Sequence, residues 1–200
     1  MKIVIIGGYG TIGKVISEHF KQKHNVLIAS RTKGDYIVDI TNSTSIKKMF
    51  ETVGKVDAII CIAGEAKWDD FNNLTEDDYY IGIKSKLMGQ VNLVRIGKDY
   101  LNANGSITLS TGVLADDPVL KTTSAAMVNG AIHSFTKAVA LEIENGIRIN
   151  TVSLGLVEDA YEKYKDYFPG HLPISMKQAV SGYVRSVEGK GQGEIIRVYN

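Results

Sequence analysis

The sequence predicts an α/β fold in which one parallel, doubly wound sheet of about seven strands forms a single domain over residues 1–200. Three observations predict it. Short apolar runs rich in β-branched residues recur along the chain, helical patterns separate most of them, and the first run passes straight into a glycine-rich turn. The runs are continuous rather than alternating, as expected of strands covered on both faces.

Taken in order, the first strand is KIVIIG (2–7), followed by a helix over 11–22 and a second strand NVLIAS (25–30). Only RTKGD separates that strand from YIVDI (36–40). Five extended residues span about 17 Å, too little for a crossover helix, so the third strand should be short and reached by a bare loop. A helix over 43–53 leads to VDAIICIA (56–63), and a long helix over 76–102 leads to SITLST (106–111). A helix over 122–144, the strand IRINTVS (147–153), a helix over 175–187 and the strand EIIRVY (194–199) complete the series. Residues 156–174 are the least regular section and hold two of the three prolines, which reads as a lid over a pocket. Tyr161, Tyr164 and Tyr167 are spaced to lie along one helical face of that lid, as in an amphipathic cover.

Composition narrows the function classes. The 23 Lys and Arg balance 22 Asp and Glu and are scattered, which argues against nucleic acid as the main partner. No apolar run approaches the roughly 18 residues that would span a bilayer. Cys61 is the only cysteine and sits in an apolar strand, where packing is expected of it rather than redox work, and no metal site is read from the sequence. The first run is too short for a signal peptide, and a cytoplasmic location is expected.

Gly7, Gly10 and Gly13 follow the first strand at a spacing of three and open a helix. Glycine permits the tight turn and lets a pyrophosphate approach the backbone, while a helix start offers free N–H groups and partial positive charge. A strand, this turn and a helix are what a Rossmann-type dinucleotide site requires, with Gly7, Tyr9, Gly10, Thr11, Ile12 and Gly13 as its contacts. The carboxylate that would hold an unphosphorylated ribose is missing about 20 residues on. Ser30, Arg31 and Lys33 stand there instead, a set suited to a 2′-phosphate with no carboxylate near Arg31 to repel it. NADP is therefore expected ahead of NAD, against the reading of Arg31 as a solvated loop residue.

With these residues in view, the chain resembles the short-chain dehydrogenase/reductase family from Lys2 to about Gly155, and again in GQGEIIRVY. VDIT at 38–41 is similar to the segment that meets adenine, which implies that role for Asp39, with Ile40 beside it. CIAG at 61–64 is similar to the family's Asn-Asn-Ala-Gly block and implies cofactor contacts at Ala63 and Gly64. GSITLST resembles the strand carrying the catalytic serine, which Ser110 or Thr111 then inherits. GIRINTVSLG is similar to the block after it, with Leu154 in place of proline.

SFTKAVALE at 134–142 resembles the continuation of the helix that carries Tyr-x-x-x-Lys. Counting back places the expected Tyr at Ala125 and the expected Lys at Asn129, and no tyrosine occurs between Tyr100 and Tyr161. The family's Asn falls at Lys86, three residues before Gly89. Lysine and asparagine have thus traded places, which by resemblance keeps Asn129 at the cofactor and puts the Lys86 cation in the same pocket. Lys86 shares a helical face with Gly89, Leu93 and Gly97, which favours an inward stem, against the usual solvated lysine head. His133 lies about 12 Å along the helix from Ala125 and reads as a core or interface histidine.

The resemblance implies an NADP(H)-dependent oxidoreductase acting on a small carbonyl or alcohol, with Ser110 or Thr111 at the catalytic serine position and a nonstandard proton donor, Lys86 or else a lid tyrosine reaching inward. The alternative is a dinucleotide-binding, catalytically silent sensor or partner-binding subunit; a structural oligomerisation module would bind no dinucleotide. The helices over 76–102 and 122–144 are by resemblance the dimer faces, so a homodimer or homotetramer is expected.

Overall fold

The computed structural model describes residues 1–199 and contains one seven-stranded, all-parallel sheet of order β3-β2-β1-β4-β5-β6-β7. β1 (Lys2–Ile6), β2 (Asn25–Ser30) and β3 (Tyr36–Ile37) form one half. β4 (Val56–Cys61), β5 (Leu101–Gly112), β6 (Arg148–Leu154) and β7 (Ile195–Val198) form the other. The order reverses between β1 and β4, where Ile5 pairs with Ile28 on one side and Ile60 on the other. Their carboxyl ends open the crevice in which such folds hold ligands.

Alternation along β1 explains both cores. Val4 and Ile6 face one side, buried with Phe50 of α2 (Ser43–Val53), Leu93 of α4 (Met88–Gly97) and Ile132 of α5 (Thr123–Val139). Ile3 and Ile5 face the other, buried with Ile16 and Phe20 of α1 (Thr11–Lys21) and Tyr183 of α7 (Met176–Glu188). Both faces of the sheet are thus dry, as the unbroken apolar runs require.

Five segments differ from the sequence expectation. The helix expected over 76–102 is broken: α3 (Glu76–Gly82) gives way to a π-helical turn over Ile83–Leu87 before α4, and a 3₁₀ turn ends it at Tyr100. β5 begins at Leu101, five residues early, because Asn102, Asn104 and Gly105 cannot extend a helix and Asn104 takes a positive φ of 62°. The third strand stops at Ile37, since Asp39 turns the chain by accepting hydrogen bonds from the Thr41 N–H and hydroxyl at 2.9 and 2.8 Å. α5 ends at Val139 rather than 144, and the lid contains its own short helix, α6 (Glu158–Tyr164). Among the described residues no helix is long and apolar enough to cross a membrane.

Candidate active site

The turn after β1 is built around glycines that have no room for a side chain. Gly7 has φ +87°, and an added Cβ would stand 2.9 Å from the Ile62 carbonyl. At Gly13 it would lie 2.1 Å from the Gly7 carbonyl oxygen. Gly10 differs: its nearest neighbour would be 3.6 Å away, so packing does not demand glycine there. The backbone there is left open to close approach from outside. α1 starts at this point with no side-chain cap and no acid in its first turn, leaving the N–H groups near Thr11, Ile12 and Gly13 for an anion. Tyr9 is exposed on the same turn, under the Lys33 ammonium at 4.7 Å from its ring centre. These residues fit a pyrophosphate.

Next to it lies a cleft of about 260 Å³ that gathers Gly7, Ser30, Arg31, Asp39, Ile40, Ala63 and Gly64, all singled out in the sequence. The Ser30 hydroxyl donates to the Lys33 carbonyl and accepts from the Lys33 N–H at 3.2 Å. Five lining residues were missed, Ile6, Val38, Thr41, Glu65 and Ser85. Arg31 donates to the Glu65 carboxylate at 3.5 Å, which corrects the expectation that no carboxylate stands near it. The pair is 34 residues apart, and only the parallel pairing of β1 with β2 and β4 brings the two loops together.

At the other end of the crevice the structure separates Ser110 from Thr111. Ser110 is buried and donates to the Cys61 carbonyl at 2.5 Å, with the Tyr183 hydroxyl at 2.8 Å, so it belongs to the α7 side of the core. Burial pushes the Cys61 thiol up to about 11 and the Tyr183 hydroxyl well above its ordinary range, which leaves both uncharged. Thr111 points to α5, where its hydroxyl lies 2.8 Å from Nε2 of His133. His133 is therefore a core histidine that reaches the end of β5. The position beside Asn129 falls to Gly112, whose added Cβ would stand 4.0 Å from the Asn129 amide nitrogen.

Lys86 sits in the π-helical turn, which packs against α5. Its stem presses on Gly64: a Cβ there would lie 2.8 Å from the Lys86 Cα and 2.9 Å from its Cδ. Burial pulls the ammonium below the ordinary lysine range, opposed only by the nearby Cys61 thiol. Gly89, Leu93 and Gly97 are buried and Lys86 half-buried beside them, so this face turns inward as the sequence implied. The interruption of the helix was not legible, although π turns are frequent at functional sites.

Ala125 is 5% exposed and packed among Val113, Leu114 and Phe168, with Trp68 and Tyr164 against them. The Trp68 ring lies 5.7 Å from Tyr164, 6.1 Å from Tyr167 and 6.4 Å from Phe168, so the lid is seated on the start of α5 through aromatic contacts. Ala125→Tyr is accordingly expected to overpack this cluster and cost about 1–3 kcal/mol, read as a lower urea midpoint. A variant as stable as the native protein would show that the cluster opens freely.

Arg197 donates twice to Asp116, at 2.9 Å each, and the Tyr199 hydroxyl donates to the same carboxylate, which ties the loop after β5 to the last strand. These bonds hold Asp116 down to about 2, while burial lowers the His133 pKa. Both shifts act in one direction. A histidine held neutral contributes stability that is full above about pH 6.5 and declines below it; an ionised aspartate contributes stability that declines from about pH 4 toward about pH 2. Stability is expected to fall in two stages on acidification, with Asp116→Asn removing the lower stage and about 1–2 kcal/mol at neutral pH. Urea titrations across that range check it, and a single stage unchanged in the variant would contradict it.

The sequence matches the family described as enoyl-(acyl carrier protein) reductase over residues 12–188. The crystal structure of the protein lin1944 from Listeria innocua is 45% identical with a TM-score of 0.98, the match covering 100% of each chain. A small-chain dehydrogenase solved in complex with NADPH is 27% identical, with a TM-score of 0.88 over 100% of this chain and 96% of that one. Oxidoreductase UcpA of Escherichia coli (strain K12) is 28% identical over 121 residues, 58% of this chain and 45% of that protein. The chain thus matches less than half the length of this curated relative. Dehydrogenase/reductase SDR family member 6 of Aquarana catesbeiana is 25% identical over 181 residues, 78% of this chain and 71% of that protein.

Proposed function

The chain belongs to the short-chain dehydrogenase/reductase family of oxidoreductases, and we propose that it binds NADP(H) and acts on a small carbonyl or alcohol with a nonstandard proton donor. The observation that carries the binding half is the glycine cradle, in which no packing neighbour requires Gly10 to be small. A relative at 27% identity holds NADPH, which supports the same choice here. The turn at Gly7–Gly13 would hold the pyrophosphate, Asp39 and Ile40 would lie at the adenine, and Arg31 would pair with the 2′-phosphate. A bound nicotinamide supplies the hydride chemistry.

What the chain itself adds is a proton and a dry site. Lys86, desolvated beneath Gly64, is the group suited to hold the proton that a tyrosine holds elsewhere in the family. Thr111 and His133 form a hydroxyl–imidazole pair one helical turn beyond Asn129. The Ser110 hydroxyl is engaged with the Cys61 carbonyl and the Tyr183 hydroxyl, which favours the other groups for that work. The lid residues Phe168 and Tyr164, with Trp68, keep water from the start of α5.

A second reading, a catalytically silent dinucleotide sensor or partner-binding subunit, draws on one observation: the apolar cluster over Ala125 fills the space where a substrate oxygen would meet a tyrosine. The exposed, small-residue face of α5 around Met127 and Gly130 supports a homodimer or homotetramer under either reading. A turnover screen with NADPH and simple aldehydes and ketones, followed by nicotinamide absorbance, separates the two. The first reading expects slow turnover, well below the roughly 10 s⁻¹ of ordinary enzymes. Absence of any turnover across the screen, with NADPH bound, favours the second.

A further inference from the structure

Arg31 and Glu65 face each other across the mouth of the adenosine cleft, one from the end of β2 and the other from the loop after β4. The Glu65 backbone is fixed, because its N–H donates to the Ser85 hydroxyl at 3.2 Å from the π-helical turn. Its side chain is not fixed. The two side chains are 69% and 61% exposed and their charges are 3.5 Å apart, a contact weak enough for a ligand to open.

We propose that Glu65 is a specificity-determining residue of the cofactor pocket, which competes with the 2′-phosphate for Arg31 and offers a carboxylate to an unphosphorylated ribose. The inference rests on the dinucleotide-binding reading above and goes beyond it. A phosphate entering the cleft must take Arg31 from Glu65 and then lie beside a carboxylate of its own sign. A ribose 2′-hydroxyl meets no such repulsion and can donate to Glu65, the role that an acid at the end of β2 fills in other dinucleotide sites. The chain has moved that acid to a neighbouring loop and kept a cation in its former place. Preference for NADP is thereby narrowed rather than lost.

The test is a set of dissociation constants for NADPH and NADH, measured by calorimetry with native protein and Glu65→Gln. Glutamine keeps the size and a hydrogen-bonding oxygen while removing the charge. The variant is expected to bind NADPH about tenfold more tightly, from one repulsion at a few ångströms in a solvated cleft. NADH should be held equally or up to about threefold more weakly, since the neutral amide oxygen is the poorer acceptor. Raising ionic strength should shrink the gain, because an exposed charge is screened. A ratio of affinities that moves by less than about twofold overturns the role of Glu65 while leaving dinucleotide binding intact, the exposed pair being then as inert as many surface ion pairs. Native protein that binds neither dinucleotide overturns both readings together.

Discussion

Gly13→Ala is expected to weaken NADPH binding by roughly a hundredfold or more and to cost about 3 kcal/mol of stability. The added methyl group would lie 2.1 Å from the Gly7 carbonyl oxygen and 2.9 Å from the Gly8 Cα, both backbone atoms that no rotamer change can move. α1 must shift away from the end of β1, and with it the uncapped N–H groups that define the anion site. Gly10→Ala is the companion variant. Its Cβ meets nothing closer than 3.6 Å, so stability should fall by less than about 1 kcal/mol, the ordinary difference at a helix start, while NADPH binding falls strongly. Urea unfolding and calorimetry on the two variants check the pair. Equal loss of stability in both would mean that Gly10 serves the fold rather than a ligand.

Lys86→Met carries the second large effect. Methionine keeps the apolar stem that presses on Gly64 and removes the ammonium. NADPH binding is expected to weaken by about 1.5–3 kcal/mol, the worth of a charge-assisted hydrogen bond, with affinity for the adenosine half alone unchanged. Stability should move the other way. The ammonium has no hydrogen bond or ion pair among the described residues, and an unpaired, partly desolvated charge is a liability to the folded state. A variant that is as stable or more stable yet binds the whole dinucleotide less well identifies Lys86 as a pocket cation. Unaltered NADPH binding places it outside the pocket.

The two halves of the crevice differ in how far the sequence reveals them. The nucleotide half is legible because its requirements are local: Gly7, Gly10 and Gly13 lie within one turn, and Ser30, Arg31 and Asp39 follow within two short strands. What escapes is any contact between loops that only the sheet brings together, and Glu65 beside Arg31 is such a contact. In the catalytic half the same limit acts on Thr111 and His133, whose distance depends on how α5 crosses the end of β5. Helical rise alone removes His133 from Ala125, but says nothing of the strand beneath it. Ser110 and Thr111 are adjacent in sequence and opposite in space, because neighbouring strand residues face opposite sides. The break at Ile83–Leu87 leaves no pattern in the sequence, since π turns use ordinary helix formers.

The lid shows a related limit. Tyr161, Tyr164 and Tyr167 announce an amphipathic segment, yet the partner of Tyr164 and Tyr167 is Trp68, from a loop almost a hundred residues earlier. That contact decides whether the start of α5 is open or covered, and it is covered.

Calorimetric titration of the native protein with NADPH, beside NADH, decides whether this chain is a dinucleotide-binding protein. Saturable binding at one site per chain is expected, tighter for NADPH than for NADH, and lost in Gly13→Ala. No heat of binding from either dinucleotide, or binding that Gly13→Ala leaves unchanged, would contradict it.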